Sequence, residues 1–327
     1  MTDPHSDETL PKQFDNPITR GAELDATSKP AGTGGGTATA LPMEKQTSLA
    51  NEAWGELRRN PLFVVSGVVV LAMIFIATFP QVLAPVRPIF GACQISRARV
   101  PPEAGAPFGY DGQGCDVFDS VIWGARPSIT IGLLTTLGVT IIGVLLGSLA
   151  GFYGGWIDAV LSRLTDVMFG FPFLVGAIVI LTAFPSRNAY TIAVVLIVFG
   201  WAGITRIMRS SVFAAKSMDY VQAARALGAS NGRIIFRHIL PNAITPVLVI
   251  STVGVGGIIG AEAVLTFLGV GLQAPTNSWG LSISQSRGRF IESPHLLLFP
   301  SLFLSATVLA FIVLGDAVRD AFDPKLR

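Results

Sequence analysis

The chain has 327 residues, half of them apolar, with a mean hydropathy of +0.58, 13% charged residues and a formal net charge of +2. Charge this sparse, against about 25% in soluble domains, excludes disorder for most of the length and argues against an ordinary soluble fold. The near-neutral total excludes a nucleic-acid binder that works by bulk positive charge.

Residues 1–50 differ from the rest. Asp3, Asp7, Glu8, Asp15, Glu23 and Asp25 lie among Pro, Gly, Ser and Thr, with a Gly34-Gly35-Gly36 run. With no apolar stretch to bury, this part reads as a flexible tail, and no apolar core follows its charges as a signal peptide would require. Six uncharged apolar stretches then follow, at 62–79, 127–153, 167–186, 188–205, 242–261 and 296–315. At 1.5 Å per residue, about 20 residues cross a ~30 Å hydrocarbon layer. The reading is an all-α integral membrane domain over 51–327 with six transmembrane helices. Buried helices of a soluble protein rarely run so long without an ionisable residue.

Alternating the crossings from an N-terminus in the cytoplasm puts Arg58, Arg59, Arg163, Arg206, Arg209, Lys216, Arg225, Arg233, Arg237, Arg319, Lys325 and Arg327 inside, together with Lys12, Arg20, Lys29 and Lys45 of the tail. Arg87, Arg97, Arg99, Arg126, Arg187, Arg287 and Arg289 fall outside. With the tail included the bias is roughly two to one, which predicts N-in and C-in. The 86–124 loop is then extracytoplasmic and the 216–241 loop cytoplasmic.

Gly143, Gly147 and Gly151 repeat at four-residue spacing and share one helix face. Two readings stand: close packing inside the chain, or a seam to a second chain. Pro172, Pro246 and Pro300 lie inside or near the starts of apolar spans. They are either static kinks or bends that line a pathway, where freed backbone groups find partners. Glu262 is the one carboxylate deep in an apolar span, so it faces the bundle interior, paired or protonated.

Enzyme motifs are absent. No Gly-x-x-x-x-Gly-Lys-Ser/Thr loop is present to cradle ATP, and the Gly-rich stretch at 32–37 lacks the lysine. His5, His238 and His295 are too scattered for a histidine metal site, and neither His-Glu-x-x-His nor Gly-x-Ser-x-Gly occurs. No catalytic or metal-binding residue is expected.

The 218–241 stretch is the informative one. Asp219 can cap a helix with Gln222 reaching back, and Ala223, Ala224, Ala226 and Leu227 favour helix. Gly228 suits a left-handed terminus, Ser230 can start a second arm, and Pro241 opens the next span. Two arms of about nine residues are marginal alone, so the hairpin must dock. Its partner is either the membrane surface, met by Arg233 and Arg237, or a groove on another protein that accepts the small Ala face.

The spacing Gln222-Ala223-Ala224, Gly228, Leu240-Pro241 resembles the EAA loop of ABC importer permeases. The resemblance covers about residues 55–327 and extends to an ordered set of motifs. These are Gly114-Cys115-Asp116-Val117-Phe118, Ile122-Trp123-Gly124-Ala125-Arg126, Gly151-Phe152-Tyr153-Gly154-Gly155-Trp156, Phe171-Pro172-Phe173, Glu262-Ala263-Val264-Leu265-Thr266-Phe267-Leu268-Gly269 and Leu314-Gly315-Asp316-Ala317-Val318-Arg319-Asp320-Ala321-Phe322-Asp323-Pro324. Together they look like the C-type subunit of the dipeptide/oligopeptide/nickel permease group.

The resemblance implies a permease of the bacterial cytoplasmic membrane that moves di- or oligopeptides. A homologous permease forms a heterodimer with it, and two ATPases and an extracytoplasmic binding protein complete the importer, set in membrane lipid. ATP–Mg binds the ATPases and no cofactor binds this chain. The loop becomes a coupling helix seated in the ATPase, which assigns coupling to Gln222, Ala223, Ala224, Arg225, Gly228, Leu240 and Pro241. The family often has Glu where Gln222 stands. Glu262, Pro172 and Pro246 become candidates for the translocation pathway, with a structural hydrogen-bonding role for Glu262 as the equal alternative. Relatives commonly carry Arg at the position of Cys115, and Cys93 is the only other cysteine. The two either form an extracytoplasmic disulfide closing about 23 residues or remain free thiols. The alternatives are a nickel-complex importer of the same group, or an autonomous channel or secondary transporter, which would not need the docking loop.

Overall fold

A computed structural model describes residues 55, 57–89 and 93–322; the 1–50 tail lies outside them. The described residues are helical apart from turns, 3-10 segments and two isolated bridges, Glu103 with Ala106 and Tyr110 with Asp116.

Helix α1 (Pro61–Thr78) starts where Asn60 Oδ1 accepts the Leu62 N–H at 2.9 Å, with proline at the first position, and stops before Pro80. Only Ser66, Val70 and Ala77 are buried along it. Leu62, Val65, Val68, Leu71 and Phe75 point outward, as lipid contact requires.

The connection to α2 carries the Cys93–Cys115 disulfide, with Cα atoms 5.0 Å apart. Gly114 lies at φ +79°, and a Cβ there would overlap the Gln94 carbonyl, so glycine is what lets the two sides of the loop meet.

Helix α2 (Val117–Tyr153) is capped by Asp116, whose Oδ1 accepts the Phe118 N–H at 2.7 Å. At 37 residues it is about 55 Å long, so it extends well past a bilayer. It starts ten residues before the expected 127, because Val117, Val121, Ile122 and Ala125 bury an apolar face there despite Asp119 and Arg126.

The third crossing differs most from expectation. Instead of one helix over 167–186 there are two, α3 (Gly155–Gly170) and α4 (Phe173–Thr182), bent by 80°. Phe171 is extended (φ −89°, ψ 125°), as a residue before proline prefers, and Pro172 has no N–H to continue the ladder.

Helix α5 (Ala189–Lys216) was expected to end at 205 but continues for another eleven residues. Its charges do not stop it because α3 supplies their partners. Arg209 makes a bidentate pair with Asp158, and Arg206 Nη2 lies 3.1 Å from Asp166 Oδ1 with its guanidinium 4.2 Å above the Phe169 ring.

Helix α6 (Asp219–Ala226), α7 (Asn231–Arg233), a π-helical stretch (Ile234–Ile239) and α8 (Leu240–Ala243) follow. Two long helices remain, α9 (Thr245–Phe267) and α11 (His295–Phe322), with the short α10 (Trp279–Ser286) between them. The expected span at 242–261 begins instead at Thr245, after a break at Ile244, and runs to Phe267.

Packing sets the directions. Gly138, Gly143, Gly147 and Gly151 meet α5 at Ile197, Ile204, Thr205–Met208 and Arg209–Val212 in that order, so α2 and α5 are parallel. Thr140 and Ser251 share a 2.7 Å hydrogen bond and Gly132 meets Ile259, so α9 is antiparallel to α2. Gly256 and Gly315 meet α11 and α9 respectively, so α11 reverses again. Among the described residues five helices are long and apolar enough to span a membrane, and because α2 and α5 run parallel, the bent α3–α4 pair between them makes up to a sixth crossing. The glycine row is therefore a seam inside the chain. The 218–243 segment lies at one end of the bundle. The disulfide loop, 183–188 and 268–294 lie at the other.

Candidate functional site

The hairpin α6–α8 is anchored from its inner side. Val221, Ile234, Ile239 and Ala243 are buried in one cluster with Met208, Val212 and Ala215 of α5, Phe152 of α2 and Val247 of α9. That docking stabilises helices too short to persist alone. The capping expectation is corrected. The N-cap is Met218, Asp219 lies inside the first turn, and no side chain caps the helix. Gln222 instead donates through Nε2 to the Lys216 carbonyl at 3.1 Å. Lys216 donates through Nζ to the Phe152 carbonyl, satisfying an orphan acceptor at the C-terminal end of α2. The chain Gln222–Lys216–Phe152 ties α6 to the ends of α5 and α2.

Helix α6 ends at Ala226, and Gly228 takes φ +78°, the left-handed turn expected of it. The outward side carries Gln222, Ala223, Arg225, Ala226, Gly228 and Leu227, the last 88% exposed. Ala224 packs inward, so only one residue of the Ala223-Ala224 pair reaches the surface. Leu240 is half-buried and Pro241 exposed, on the far side of the π-helical stretch. Pro241 opens α8 and not the next span, and Asn242 there donates to the His238 carbonyl at 2.8 Å. A large exposed leucine beside small residues and arginines is a surface suited to protein contact.

The three pathway candidates are not brought together. Pro172 sits at the α3–α4 break. Pro246 lies in the first turn of α9, where proline is compatible with a straight helix. Glu262 is about 24 Å further along the same helix and has no solvent exposure. Pro300 lies inside the continuous α11. Sequence reasoning passed over Lys216, the Asp158–Arg209 pair and the hydroxyls around Glu262. Thr266, one helical turn after Glu262, was the only local sign of the last group.

Five long apolar helices, a bent pair that makes up to a sixth crossing and a short helical hairpin docked at one end define a multi-pass membrane bundle. Residues 143–327 match the family described as binding-protein-dependent transport system inner membrane component. Residues 48–102 match the N-terminal TM domain of oligopeptide transport permease C. The chain is 38% identical over 293 residues to the dipeptide transport system permease protein DppC of Alkalihalophilus pseudofirmus, covering 88% of this chain and 94% of that one. It is 35% identical over 299 residues to the oligopeptide transport system permease protein OppC of Bacillus subtilis, covering 91% and 97%. It is 36% identical over 290 residues to the glutathione transport system permease protein GsiD of Pectobacterium atrosepticum, covering 88% and 96%. A solved inward-facing MetNI methionine ABC transporter shares the fold, with a TM-score of 0.51 at 17% identity over 62% of this chain and 97% of that one.

The chain belongs to the family of inner-membrane components of binding-protein-dependent ABC import systems. It is the transport permease subunit and not itself an enzyme, and it works with ATPase and binding-protein partners.

Proposed function

We propose that this chain is one half of a heterodimeric permease that carries di- or oligopeptides inward, paired with a homologous permease, two ATPases and one extracytoplasmic binding protein. ATP–Mg is bound and hydrolysed on the ATPases, and no cofactor binds this chain. The outward ridge of the hairpin, with Gln222, Ala223, Arg225 and Gly228, seats in an ATPase groove. Ala224, Leu240 and Pro241 act from behind it by fixing its shape. The observation that carries this reading is the hairpin itself, which is anchored on three long helices through its inner face and leaves Leu227 and a row of small residues uncovered. An autonomous channel has no use for such a surface. The peptide cargo is supported by the dipeptide, oligopeptide and glutathione permeases among the relatives.

Labelled di- and tripeptide uptake in a strain lacking this chain tests the proposal. Restoring the chain is expected to restore uptake, and inactivating the ATPase to abolish it again. Uptake of nickel but not peptides would assign the other cargo of the group. Peptide uptake independent of the ATPase would overturn the reading.

The same reading sets the orientation, with the hairpin and both termini in the cytoplasm. The excess of Lys and Arg at the hairpin end supports it, and the Cys93–Cys115 bond suits an oxidising exterior. A bridge closing a loop of this length contributes about 3 kcal/mol. On intact cells, a membrane-impermeant maleimide is expected to label both cysteines only after reduction. Labelling without reductant would show free thiols, and labelling only after permeabilisation would reverse the topology.

A further inference from the structure

Glu262, Thr266, Ser128 and Ser278 form a closed polar cluster where α2, α9 and the start of α10 meet, and none of the four is more than 1% exposed. Thr266 Oγ1 donates to Glu262 Oε1 at 2.8 Å and accepts the Leu272 N–H at 3.1 Å. Ser278 caps α10 by accepting the Leu281 N–H at 3.2 Å. Ser128 lies one helical turn after Gly124, which abuts the Ser278 backbone, and Glu262 Oε2 and Ser128 Oγ each have no hydrogen-bond partner among the described residues.

The backbone around the cluster is in direct contact. A Cβ on Gly280 would stand 2.8 Å from Ala263 Cα, and one on Gly124 would stand 3.3 Å from the Ser278 carbonyl carbon. Trp279 is fully buried and donates through Nε1 to the Val121 carbonyl at 2.9 Å. The 268–286 segment is thus seated on α2 and α9 with the carboxyl at its centre. A carboxyl in an apolar span is expensive, and a leucine of similar size would pack there at less cost. A carboxyl placed at that cost calls for a task, and its enclosure rules out contact with cargo in this state.

We propose that Glu262 is a positioning residue whose carboxyl fixes the Thr266 hydroxyl that holds the 268–286 segment to α9, so that this segment and α9 move as one block against α2 when the permease changes state. The inference rests on the reading of the chain as a transport permease. It requires hydrogen bonding and not charge, because glutamine offers the same carbonyl acceptor to Thr266.

The test is dipeptide uptake by the complete complex in vesicles, measured against dipeptide concentration and scaled to assembled complex. Glu262→Leu is expected to lower the maximal rate about tenfold or more, the scale of one unsatisfied buried group, with the half-saturating concentration unchanged. Glu262→Gln is expected to restore the rate. Should Glu262→Leu fail to assemble, Thr266→Val decides with the same loss, and Thr266→Ser is its rescue. Glutamine as slow as leucine would overturn the proposal and make the charge itself part of the pathway. A shifted half-saturating concentration, or full rates in Glu262→Leu or Thr266→Val, would also overturn it. Absence of uptake by the wild-type complex would strike instead at the permease reading.

Discussion

Replacing Gly228 by valine is expected to strip the ATPase subunits from the purified complex and to reduce peptide uptake to background. Gly228 sits at φ +78° immediately after Leu227, the C-cap residue of α6. An L-residue in this region costs roughly 1–2 kcal/mol, and a β-branched one is a clear outlier there. The helix it terminates has eight residues and no side-chain cap, so it has little stability of its own to absorb that strain. A Cβ at Gly228 meets nothing within 4 Å inside this chain. Loss of the ATPase would therefore reflect the turn geometry or bulk facing the partner, and not a clash within the permease. Gly228→Asn separates the two causes, since asparagine tolerates the left-handed region while adding a side chain. An asparagine variant that keeps the ATPase, beside a valine variant that loses it, assigns the effect to the turn. A valine variant with full ATPase and full uptake would remove the hairpin from the coupling path.

The bundle was legible in the sequence wherever burial in lipid governs composition. Six uncharged runs announced six crossings, and the four-residue glycine spacing announced a close seam. What the apolar runs could not show is where helices end once charges are paired in space. Arg206 and Arg209 look like the end of a span until Asp166 and Asp158, some forty to fifty residues earlier, are placed beside them. Proline was ambiguous for a related reason. Pro246 in a first turn, Pro127 and Pro300 within continuous helices and Pro172 at an 80° break look alike in a string of letters, and only the backbone around them differs.

The hairpin was legible in outline, through Gly228 and the alanines, but not in its attachment. Gln222 reads as the acceptor-bearing half of a capping box. Its amide instead donates to Lys216, because the chain turns sharply between α5 and α6 and brings that carbonyl within reach. Glu262 was recognisable as an interior residue from its surroundings alone. Its relation to Ser128 and Ser278 was not, because those residues come from other elements.

The glycine seam carries the other large effect: Gly147→Leu is expected to leave almost no folded chain in the membrane. A Cβ at Gly147 would stand 2.6 Å from the Thr205 carbonyl oxygen and 3.0 Å from the Arg209 nitrogen, both backbone atoms of α5. Side chains can rotate away from an intruding atom, but a helix backbone moves only as a unit. Gly151 faces the Arg209 carbonyl in the same way at 2.7 Å, so the two helices are in contact over consecutive turns. Overpacking a core costs about 1–3 kcal/mol where side chains can adjust, and backbone against backbone lies at or above the top of that range. Stability of the whole domain is only about 5–15 kcal/mol. Gly257→Ala is the matching control, because a Cβ there meets nothing within 4 Å. It is expected to leave accumulation unchanged when both variants are compared by fluorescence-detected size exclusion. If Gly147→Leu instead accumulated as a well-folded chain at the level of Gly257→Ala, the close approach of α2 and α5 would not be what holds the bundle together.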